Sequence, residues 1–94
     1  MQGRFEVIVN KGQKSIEIRD EASGKTVLPE TECEGVSYDK FNELVRGLRL
    51  KPHNRYIGKV EYTDLRPQLS RFFKGEKFER CMERVEDWIT EIGN

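Results

Sequence analysis

The sequence predicts an α+β domain: an antiparallel sheet of three to four strands with about three helices packed on one face, in the order β-β-β-α-β-α-α. Three observations carry this expectation. Near the N-terminus, "RFEVIVNKGQKSIEIRD" places two stretches of alternating apolar residues around a glycine turn. At the other end, "EKFERCMERVEDWITEIGN" repeats apolar residues at helical spacing. Between them the strands come mostly in one run joined by tight turns, which gives a meander rather than alternating parallel units. The 94 residues make a single domain, 1–94, with room for one core.

The first strand spans Gly3 to Asn10, with Phe5, Val7 and Val9 on one face. In "NKGQK" the residue Gly12 suits a turn, and "KSIEIRD" returns with Ile16 and Ile18 on one side. After the turn "EASGK", "TVLPETECEG" offers a third strand. Pro29 lacks a ladder donor and so confines that strand to an edge or a short run. Its Glu30, Glu32 and Glu34 share a face that must be solvated or matched by cations. Ser37 reads as a helix N-cap with Asp39 in the first turn. Phe41, Leu44, Val45 and Leu48 then form an apolar stripe, and Pro52 stops any continuation.

"NRYIGKVEY" predicts a fourth strand with Tyr56, Val60 and Tyr62 on one face. Gly58 in its middle marks a weak point or a close approach. Thr63 or Asp64 caps a short helix running to Phe73, Pro67 being tolerated in its first turn, and Gly75 is expected just past its C-terminus. The last helix carries Phe78, Cys81, Met82, Val85, Ile89 and Ile92 inward. Trp88 sits one position from that stripe, at the edge of the core or as an interface anchor, with the core edge preferred.

Charge is balanced overall but unevenly placed. Charged residues are 36% of the chain and the formal net charge is zero. Residues 1–43 carry six basic and nine acidic groups, residues 44–74 eight and two, and residues 75–94 three and six. Within "LVRGLRLKPHNRYIGKV" there are five Arg or Lys and no carboxylate. Arg46, Arg49, Lys51, Arg55 and Lys59 are therefore the candidate contacts to a polyanion, with His53 and Tyr56 available to stack on a base. Arg66, Arg71 and Lys74 would extend that surface if they face solvent. The competing expectation is a solvated face whose cations pair with the chain's own carboxylates. A sequence pI near 6.6 argues against nonspecific duplex binding but leaves room for a local patch.

No nucleophile elbow, phosphate-cradling glycine loop or metal-ligand spacing is present. Cys33, Cys81 and His53 are too few for a structural zinc site, and the two cysteines read as reduced thiols, Cys81 on a core face. A domain this small is expected to enclose no pocket of several hundred Å3 without a partner subunit. The expected function is thus a non-enzymatic, cytoplasmic binding protein without cofactor or membrane partner. Its partner is single-stranded nucleic acid or another polyanion; the alternative is a protein partner engaged by surface complementarity, and a homodimer stays open.

The stretch "IEIRDEASGKTVLPETECEGVSYDKFNELV", with its I-x-I-R strand, its proline and its "GVS" before a helix, resembles the strand, loop and helix of coactivator-type single-stranded DNA-binding domains. It covers about a third of the chain. Where that family has basic loop residues this chain has Glu30, Glu32 and Glu34, and a further strand and two helices follow, so no residue or role is carried over.

Overall fold

The computed structural model describes residues 2–33, 35–53 and 55–93, with the backbone alone at 53 and 93. It is α+β, in the order β1 (Arg4–Asn10), β2 (Ser15–Asp20), β3 (Thr26–Glu32), α1 (Tyr38–Gly47), β4 (Lys51–His53), β5 (Arg55–Glu61), α2 (Leu65–Leu69) and α3 (Glu76–Gly93). The sheet has five antiparallel strands, ordered β3-β2-β1-β5-β4. That is one strand more than the sequence suggested. The addition is β4, three residues centred on Pro52. Proline is tolerated there because β4 is an edge strand, as is the β3 that holds Pro29.

The side-chain alternation of β1 organises the core. Phe5 lies beside Val60 and Asp20, Val7 beside Ile18 and Gly58, and Val9 beside Ile16 and Tyr56. Those residues face the helices, where Phe41 and Leu44 of α1, Leu65 and Leu69 of α2, and Met82 and Val85 of α3 are buried against them. On the opposite, helix-free face Glu6 lies between Arg19 and Lys59, and Ile8 between Glu17 and Ile57. Register shifts in the β2–β3 pairing flank Ile18, and the adjacent Val27 and Leu28 are both buried.

Ser37 caps α1 as expected, its hydroxyl accepting from the Lys40 amide. The second helix is shorter than its sequence implied. Beyond Leu69 the backbone tightens to i→i−3 bonds, Arg71 to Gln68 and Phe72 to Leu69. This turn buries Phe73 and sets the Phe72 ring against Gly47. Gly75 does adopt positive φ (107°), but it opens α3 instead of closing α2: its carbonyl accepts the Glu79 amide. Trp88 is at the core edge, 5.9 Å from the Phe5 ring and 6.1 Å from that of Tyr62. Gly58 is where Leu50 crosses the sheet: a Cβ there would meet Leu50 Cδ2 at 2.4 Å. Among the described residues no helix is long and apolar enough to cross a membrane.

Candidate functional site

The seven residues singled out in the sequence fall at three places. Arg46 is exposed in the last turn of α1, where a cation suits the helix C-terminus. Leu48 caps that helix through its amide to the Leu44 carbonyl. The chain then turns at Arg49, whose φ of 55° is left-handed. Only Lys14, in the β1–β2 turn, shares that conformation among the described non-glycine residues. The turn aims the chain into β4, where Lys51 stands opposite Ile57 on the helix-free face.

Arg55 and Lys59 lie on that same face of β5, but their charge is met from within the chain. The Arg55 guanidinium is 3.8 Å from Glu17 and 3.8 Å from Glu30, and Lys59 Nζ is 2.8 Å from Glu21. Glu17 is buried and also accepts from Arg19, and Glu30 accepts from Ser15. The Glu21 carboxyl is held below its ordinary range chiefly by the Lys59 ammonium beside it, with Arg4 adding to the effect. Arg46, Arg49 and Lys51, in contrast, are exposed and have no carboxylate partner among the described residues.

Tyr56 belongs to the other side of the sheet. It is half-buried against the core cluster, and Lys11 Nζ lies 4.6 Å from its ring centroid. The described residues of the helix-free face thus bring no aromatic ring beside Lys51, Arg55 and Lys59. The expected stacking role of His53, and the placing of Glu34 with Glu30 and Glu32, lie outside the described side chains.

Of the cations expected to extend the patch, Arg66 is engaged elsewhere. Its guanidinium grips Glu86 at 3.0 and 2.7 Å and Glu79 at 2.8 Å, fastening α2 to α3. The Glu86 carboxyl is lowered by those bonds. Arg71 stacks over Phe72, and Lys74 is exposed beside the core.

Glu17 and Asp20, the buried carboxylates among the described residues, point to opposite faces of β2. Asp20 accepts from Tyr62 and from the hydroxyl and amide of Ser23. No group of three or more His, Cys, Asp or Glu among the described residues could hold a metal ion. Both cysteines are free thiols. A half-open cleft of about 470 Å3 lies between β2–β3 and α3. Its lining comes from separate stretches of the chain, so no spacing in the sequence marks it. Comparisons of the chain with protein families, with curated proteins and with solved structures find no match.

Proposed function

We propose that the chain is a non-enzymatic binding protein that contacts the phosphate backbone of a single-stranded nucleic acid through Arg46, Arg49 and Lys51. The observation that carries this reading is Arg49. A side chain in left-handed backbone costs about 1–2 kcal/mol where glycine would not. Yet that position holds an exposed arginine with no carboxylate partner among the described residues. The left-handed turn itself closes α1, the Leu50 amide bonding to the Val45 carbonyl and the Arg49 amide to the Arg46 carbonyl. What supports the reading is that an exposed arginine, not glycine, fills it.

Arg46 and Lys51 flank it within six residues of chain. Because Glu17 and Glu30 engage Arg55 and Glu21 engages Lys59, the cations left to meet a polyanion lie in the α1–β4 segment. With no aromatic ring beside Lys51 among the described residues of the helix-free face, the contacts expected here are to phosphate, and binding is tolerant of sequence. The test is fluorescence anisotropy of a labelled oligothymidylate at low salt. Wild type binds, and Arg46→Ala/Arg49→Ala/Lys51→Ala does not. No binding by wild type, or equal binding by both, ends the proposal.

One feature supports a second reading. The helix-free face is divided, with Glu17, Glu30 and Glu32 toward β3 and Lys51, Arg55 and Lys59 toward β4. A folded protein with the opposite division would fit it. Capture of such a partner without retention on oligonucleotide or heparin favours this reading over the first.

A further inference from the structure

The apolar residues of β2, β3 and α3 do not close over one another at the β3 side of the sheet. They leave the cleft of about 470 Å3, within the range of small-molecule sites. Its walls include Leu28 from β3, Leu69 from α2, and Phe78 and Met82 from α3. The charged residues among the described ones that line it are Lys40, Lys74, Lys77 and Glu32. Lys74 is exposed, and Lys40 has only Glu43, itself exposed, at 3.5 Å.

We propose that this cleft binds a single-chain amphipathic carboxylate of the fatty-acid class, with the aliphatic chain among Leu28, Leu69, Phe78 and Met82 and the headgroup between Lys40 and Lys74. An aliphatic chain placed there takes its own apolar surface out of water, at roughly 25 cal/mol per Å2. Lys74, exposed and without a carboxylate partner among the described residues, and Lys40 beside it on the rim favour a negative headgroup. Lysine offers a mobile point charge, whereas the planar arginine fork suited to phosphate is absent from the lining. The Cys33 thiol in the wall is pushed up to about 11, mainly by burial, which marks the interior as poorly solvated. This site shares no residue with the Arg46–Arg49–Lys51 surface, so either can fail alone.

The test is a methyl-detected NMR titration of the full chain with decanoate below its aggregation concentration. The expected result is saturable shifts confined to Leu28, Leu69, Met82 and their neighbours. Lys40→Glu/Lys74→Glu, both at exposed positions, should weaken decanoate binding by about tenfold or more. Affinity for decanol should be the same in the variant and in wild type. The inference is overturned by the absence of saturable shifts, by shifts spread outside the cleft, or by equal decanoate affinity in the double variant.

Discussion

Tyr62 donates a hydrogen bond to the buried carboxylate of Asp20, 42 residues away in the chain. The pair spans β1, tying the end of β2 to the residue that follows β5, and its ring packs 4.5 Å from Phe5. Burial by itself would raise the Asp20 carboxyl, but the bonds from Tyr62 and Ser23 outweigh it and hold the group below 3.8. Burial and the adjacent Asp20 push the phenol of Tyr62 up to about 12.

Replacing Tyr62 with Phe leaves Asp20 short of a donor and should cost about 1–3 kcal/mol at neutral pH. Urea unfolding followed by the fluorescence of Trp88, the one tryptophan, measures it. The pH dependence has a defined sign. Tyr62 is raised on folding, so its contribution is complete below its ordinary 10 and is lost as pH climbs through about 12. The gap between wild type and Tyr62→Phe should close over that interval. Asp20 is lowered, so its contribution holds above 3.8 and disappears as pH falls through its folded value.

Arg66→Ala should loosen the link between α2 and α3 without unfolding the domain. All three members of the Arg66–Glu79–Glu86 group are at least one-third exposed, which limits the loss to about 0.5–1 kcal/mol. A second readout is the Glu86 carboxyl, which should return to its ordinary range in an NMR titration. An unchanged Glu86 titration would mean that Arg66 is not its partner in solution.

Gly58→Ala places a methyl group against Leu50 Cδ2, the end of a buried but adjustable side chain. The expected cost is about 1 kcal/mol, at the low end for overpacking. In a Leu50→Ala background the same change should cost less, since the obstructing atom is gone. Equal costs in both backgrounds would place Leu50 elsewhere.

Arg49→Gly separates folding from binding. Relief of about 1–2 kcal/mol of left-handed strain exceeds the added chain entropy of about 0.5–1 kcal/mol. The variant should therefore be as stable as wild type or up to about 1 kcal/mol more stable, while its affinity for oligothymidylate falls. Lower stability with unchanged affinity would assign Arg49 a structural role.

Local signals in the sequence were sufficient for much of the fold. The β1–β2 alternation, the Ser37 cap and the stripe on α3 each act within a few residues, and the structure has all three, except that the stripe ends at Ile89 and Ile92, expected inward, is exposed near the helix end. Pro29 limited β3 to an edge or a short run, and the structure puts it at an edge, for a reason that applies equally to Pro52. Even so, "KPH" has no alternation to mark it as a strand, and only its pairing with Arg55–Ile57 makes it one. The charge sum located a cation-rich segment and allowed for its pairing with the chain's own carboxylates, but not which cations pair, because Arg55 meets Glu17 and Glu30 only through the register of non-adjacent strands. The cleft was invisible for a similar reason. Met82 reads as part of the α3 stripe and Leu28 only as part of a strand, and whether the space between them is filled depends on how β3 and α3 are set apart.

The salt dependence of oligothymidylate binding tests the proposed surface most directly. Three phosphate contacts to a single strand predict that log affinity falls against log salt with a slope of about −2. The slope should approach zero once Arg46, Arg49 and Lys51 are all alanine. A slope near zero in wild type, or one that the triple substitution leaves unchanged, would contradict the account.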